Sequence, residues 1–137
     1  MTLARVARLA GVALLVLVTN VVCSILYMVV YGYVIDPGHE QAYYDAHIQR
    51  AAPYCSIVAG VPLMFLAGWW VSSWWQRALG MGGAWTIWTA YVLIDLTVLL
   101  AAGMTAEIAA LFAVSFGTKL AFVLLGAKRG LTQRVAA

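Results

Sequence analysis

Residues 9–35 read LAGVALLVLVTNVVCSILYMVVYGYVI, 27 residues in a row without a charged side chain. Crossing the hydrocarbon of a bilayer as a helix takes roughly 20 largely apolar residues. This run exceeds that length. It is also far longer than the roughly 7–15 apolar residues of a secretory leader, and no small-x-small cleavage pattern follows it. Cys23 is preceded by Asn20-Val21-Val22, which lacks the small residue expected before a lipid-modified cysteine. The stretch therefore reads as a membrane span.

The same reading extends along the chain. Residues 51–76 form a second uncharged run. Residues 78–106 are interrupted only by Asp95, and 108–127 only by Lys119. Transmembrane strands are excluded, because the runs do not alternate and four strands cannot close a barrel in lipid. The expectation is an all-α integral membrane protein, a single four-helix antiparallel bundle over 1–137. Its spans are expected at about 9–34, 54–76, 82–103 and 106–127.

Composition agrees. Of 137 residues, 65% are hydrophobic and 9% charged. A soluble domain carries roughly 25% charged residues, so a soluble enzyme, a disordered chain and a nucleic-acid binder are all excluded. The net charge of +3 comes from scattered basic residues, not from a patch.

Orientation follows from Lys and Arg near the span ends. Arg5, Arg8, Arg77, Lys128, Arg129 and Arg134 collect on one side, against Arg50 on the other. Both termini are thus expected in the cytoplasm of a bacterial inner membrane. Gly80, Gly82 and Gly83 suggest a tight cytoplasmic turn, flanked by Trp74, Trp75 and Trp85 as headgroup-level anchors. Thr105 is placed to cap the last helix, with Glu107 favoured in its first turn.

The segment 36–53 is expected outside, as a short surface helix opened by Asp36-Pro37 and closed by Pro53. It holds both histidines. Asp36, His39, Glu40 and His47 form an oxygen- and nitrogen-rich set of the kind that binds divalent metals. However, His39 and His47 are eight residues apart, about 12 Å along an ideal helix, too far to share one ion. Cys23, deep in the first span, and Cys55, at the outer start of the second, are expected at different depths, as separate thiols packed between helices.

Asp95 and Lys119 need a reason to sit inside the bilayer, where a charge costs roughly 2.5–3.5 kcal/mol even on mild scales. Counted from the outer ends of their spans, they lie about 12 Å and about 19 Å deep. A helical side chain leans toward its N-terminus, so Lys119 leans toward the level of Asp95. A pair or a shared polar network is expected, with Asn20, Trp88, Tyr91 and Ser115 as companions. Ala109, Ala113, Gly117 and Ala121 recur every four residues, a small-residue seam that permits close helix approach. It points away from Lys119, toward a second copy or another membrane protein.

Three functions fit these residues. One is a dimeric transporter or channel for a cation, proton or small solute. Another is an accessory or assembly subunit of a larger membrane complex. The third, a membrane metal protein or enzyme, has no nucleophile–base, phosphate-loop or zinc motif behind it, and no cofactor is assigned.

Overall fold

The computed structural model describes the backbone of residues 2–74 and 80–135, with side chains over 2–73 and 81–133. Four helices account for nearly all of it. They are α1 (Leu3–Val30), α2 (Gln41–Trp74), α3 (Gly80–Ala102) and α4 (Ala106–Val135). All four are long and apolar enough to cross a membrane. The expected turn residue Arg77, the anchors Trp74 and Trp75, and Arg134 lie outside the described side chains.

Two boundaries differ from the sequence reading. The segment 36–53 is not a separate surface helix. Helix α2 starts at Gln41 and runs unbroken through Pro53 and Pro62. A proline inside a helix removes one N–H and crowds the preceding turn, which is why Pro53 reads as a boundary in the sequence. In an apolar bundle neighbouring helices can satisfy the freed carbonyl, and Pro53 is buried against them. Similarly, Gly82 and Gly83 are not a turn but the first turns of α3, where Gly83 faces Val71 and Leu9.

The loop-end termini follow local rules. Helix α1 widens into a π-helical turn at Tyr31–Ile35, closed by Asp36 N–H donating to the Tyr31 carbonyl at 2.9 Å. Gly38 (φ 93°) turns the chain toward α2, and Gly103 (φ 83°) ends α3. Positive φ there is a conformation glycine adopts without a Cβ penalty. Thr105 Oγ1 accepts from the Ile108 N–H at 3.4 Å, capping α4.

The closest pair is not a chain neighbour. Helices α2 and α4 share the most extensive contact, while α1 and α4 share no substantial one. The α2–α4 contacts climb together: Ser56 with Ser115, Gly60 with Lys119, Gly68 with Val123 and Ala127, Ser72 with Gly130. These two helices therefore run parallel, side by side, and so do α1 and α3, where Leu9 meets Gly83 and Asn20 meets Tyr91. The most extensive contact is thus between alternate helices rather than between chain neighbours.

Glycine makes the α2–α4 approach possible. A Cβ at Gly126 would collide with the Phe65 carbonyl, and one at Gly68 with the Val123 carbonyl. Only hydrogen at those positions lets the backbones come so near. The seam identified in the sequence lies elsewhere: Ala113, Gly117 and Ala121 are exposed, and a Cβ at Gly117 would meet nothing within 4 Å.

The core occupies one half of the bundle. Leu9, Ala13, Val16, Met64, Ala67, Val71, Ala84, Ile87, Tyr91, Val123 and Ala127 form one buried cluster toward the chain termini. Toward the loop end, none of residues 21–52 or 92–111 is buried.

Candidate functional site

The packed core ends at a layer of polar side chains. Lys119 (α4) is fully buried there. Its ammonium donates to Ser56 Oγ on α2 at 2.6 Å and to the Tyr91 hydroxyl on α3 at 2.7 Å. It also lies 4.5 Å from the Tyr91 ring centroid, a distance at which the ring face attracts a cation. Gly60 leaves room for the lysine: a Cβ there would collide with Lys119 Cε. Asn20 Nδ2 (α1) donates to the same Tyr91 hydroxyl at 3.2 Å and to Ser56 Oγ at 3.4 Å. Ser115 Oγ stands 3.5 Å from Ser56 Oγ. All four helices thus contribute to one network.

Asp95 does not pair directly with Lys119. Among the described residues the ion pair within 4.0 Å is His39–Asp36. The physical reason is register. Asp95 sits one helical turn beyond Tyr91, and the nearer hydroxyls of Tyr91 and Ser56 take the ammonium protons first. Tyr91 stands between the two charges, and Asp95 interacts with both its hydroxyl and the Lys119 charge. The Tyr91 oxygen accepts from Lys119 and Asn20, which fills its lone pairs. Its own proton is then free to point elsewhere, and Asp95 is the next acceptor along α3.

Of the other residues singled out in the sequence, Trp88 lies beside this layer but not in it. Its indole donates to the Phe116 carbonyl at 2.9 Å. Ser56 and Gly60 belong to the site and escaped notice in the sequence. A hydroxyl one turn before a glycine on α2 was the available signal.

Above the polar layer a cavity of about 730 Å³ opens toward the loop end. Asn20, Ser56, Tyr91 and Asp95 line its floor. Leu17, Val21, Ile25, Met28, Ile48 and Phe112 supply apolar walls. Tyr33, Gln41 and Tyr44 line its far end, where Tyr33 is 81% exposed.

An aromatic cap joins α1 to α2 at that end. His47 stacks on Tyr31 at 3.8 Å between centroids and meets the Tyr27 hydroxyl at 3.0 Å. His39 stacks on Tyr43 at 4.1 Å and bonds Asp36 at 2.9 Å. Tyr43 donates to Asp36 at 2.7 Å. These contacts, with His39 second, hold the Asp36 carboxyl below the usual carboxylate range. Asp36 and His39 therefore come together, whereas His47 and Glu40 do not join them. No three His, Cys, Asp or Glu side chains among the described residues are grouped to hold a metal ion.

The cysteine reading also changes. Asn20 meets Ser56 across α1 and α2, so Cys23 and Cys55 differ in level by about 3 Å at 1.5 Å per residue. The earlier start of α2 carries Cys55 to that depth. Both thiols are free, and Cys23 is exposed rather than packed between helices.

No family model, curated protein or solved structure matches this chain.

Proposed function

We propose that this chain is a small transporter of the bacterial inner membrane, with both termini in the cytoplasm and the cavity open to the outside. The observation that carries the reading is the cavity that reaches Asp95. A carboxylate at the floor of an apolar cavity, separated from a buried lysine by one tyrosine hydroxyl, can exchange its charge partner. It can face Tyr91 and Lys119, or a cation or proton arriving from the cavity. Intramembrane ionisable groups of this kind mark solute and proton pathways. The Lys and Arg asymmetry supports the orientation.

The test is flux in vesicles containing the purified chain. Cation- or proton-driven uptake is expected for the native protein and loss of it for Asp95→Asn. Uptake that survives Asp95→Asn unchanged removes this function. Impermeant thiol reagent reaching a cysteine placed at Gln41 only from the cytoplasm reverses the orientation.

A second reading, an accessory subunit, is favoured by one feature. The Ala109, Ala113, Gly117, Ala121 face is uncovered within the bundle although small residues suit close helix contact. In the transport reading this face joins two copies. Purification in mild detergent separates the two readings: a self-associated dimer supports the transporter, and a stoichiometric foreign subunit supports the accessory role.

A further inference from the structure

The lining of the cavity discriminates by charge and by hydrogen-bond polarity. Among the described residues, Asp95 is the one Asp, Glu, Lys, Arg or His side chain that lines it. Lys119 is not part of the wall, because Tyr91 and Ser56 stand in front of its ammonium. Among the described residues, two buried side-chain oxygens have no hydrogen-bond partner, Asn20 Oδ1 and Asp95 Oδ2, and both residues line this cavity. A carboxylate and an amide carbonyl only accept. A buried acceptor left unpaired is unfavourable, and most so when it is charged.

The group that completes such a floor donates hydrogens and carries positive charge. The walls above it are apolar, so they ask for an apolar body. A volume of about 730 Å³ falls within the roughly 300–1,000 Å³ of pockets for organic ligands, well beyond what a bare ion needs. The approach favours the same sign. Tyr33 and Tyr44 line the far end, and ring faces attract ammonium groups. Asp36, Glu40 and Asp45 lie on the segment beside it.

Resting on the transport reading of this cavity, we propose that its cargo is a monovalent organic cation. An apolar body fills the walls, and a protonated amine pairs with the Asp95 carboxylate at the floor. Neutral apolar molecules satisfy only the walls. Anions meet the Asp95 carboxylate and find no cationic side chain among the described lining residues to offset it.

Binding to the full-length chain in nanodiscs tests this, with protein-free nanodiscs subtracted. The probes are 2-phenylethylammonium and the similarly shaped anion 3-phenylpropionate. The cation is expected to bind at least about tenfold tighter than the anion, and Asp95→Asn to weaken it by at least about tenfold, as for loss of a charged hydrogen bond. Ala52→Phe fills the wall without altering charge and is expected to weaken binding as well. Equal binding of cation and anion overturns the proposal. So does native affinity in Asp95→Asn, or in Ala52→Phe. If Asp95→Asn does not fold, the cation–anion comparison on the native chain decides alone. Failure here is distinct from failure of transport. Cation binding without flux keeps this assignment and removes transport. Asp95-dependent proton flux without ammonium binding does the reverse.

Discussion

The two ends of the bundle are built from the same four helices and packed in opposite ways. Toward the chain termini, Gly68, Gly126 and Gly130 bring α2 and α4 into backbone contact, and Leu9, Met64, Ile87 and Val123 are fully buried. Toward the loops, no residue of 21–52 or 92–111 is buried. Length explains part of the difference. From the level of Lys119 and Gly60, α2 extends 19 residues to Gln41 and α4 only 13 to Ala106. At 1.5 Å per residue these are about 28 Å and about 20 Å. The α1–α2 arm overshoots the α3–α4 turn, so its end has only itself to pack against. The aromatic cap of Tyr27, Tyr31, His39, Tyr43 and His47 holds that arm together. The lesson is that apolar character places a helix in the bilayer, whereas small residues and hydrogen-bond partners determine where it packs. Where they stop, a cavity begins.

The sharpest way to break this contrast is to place a methyl group in each half of α4. Gly126→Ala is expected to have the largest effect. It meets the Phe65 carbonyl, and backbone must shift at a cost of about 1–3 kcal/mol or more. Gly117→Ala meets nothing and should stay within about 0.5 kcal/mol. Thermal unfolding in one detergent measures both, and equal losses would refute the assignment of the packed seam.

The polar layer between the halves comes next. Lys119→Met removes two hydrogen bonds and is expected to cost about 1–3 kcal/mol. Asp95→Asn, at the cavity floor, should cost less. Because Tyr91 links them, the double variant should depart from additivity by at least about 0.5 kcal/mol. The same cycle in a Tyr91→Phe background should keep only the through-space charge coupling and shrink. Coupling of unchanged size there would show that the Tyr91 hydroxyl does not link Asp95 and Lys119.

The loop end should respond least. Leu100→Ala, on an exposed stretch of α3, is expected to change stability by no more than about 0.5 kcal/mol. A loss near the 2–5 kcal/mol typical of a core leucine would show that this end is packed.

Acid acts on the same end through Asp36. Its carboxyl is held below the ordinary value, mainly by Tyr43. A lowered folded value gives stability that is fully present above the unfolded value, about 3.9. That contribution is lost as pH falls through the folded value. The cap should therefore loosen only below about pH 4. Tyrosine fluorescence of the cap in the native chain and in Asp36→Asn checks this. The acid transition should be absent from the variant.

Four membrane-length helices were legible in the sequence because length and apolarity are local properties, and residues 9–35 carry both without help from any neighbour. The capping role of Thr105 was legible for the same reason. The polar companions Asn20, Tyr91, Ser115 and Lys119 were legible as candidates, because polar groups within spans need partners. What each one bonds to was not. Tyr91 rather than Asp95 receives the Lys119 ammonium because a single turn of register on α3 separates them, and register is set by the packing of whole helices. Pro53 read as a boundary because its local effect is to end helices, and only burial among α2's neighbours overrides it. The seam at Gly117 and the one at Gly126 follow the same four-residue rule. Which of them meets another backbone depends on the rotation of α4 against α2, and a repeat of small residues carries no record of that angle. The cavity is likewise a tertiary property. It arises from two arms of unequal reach around a packed end, and no single helix contains it.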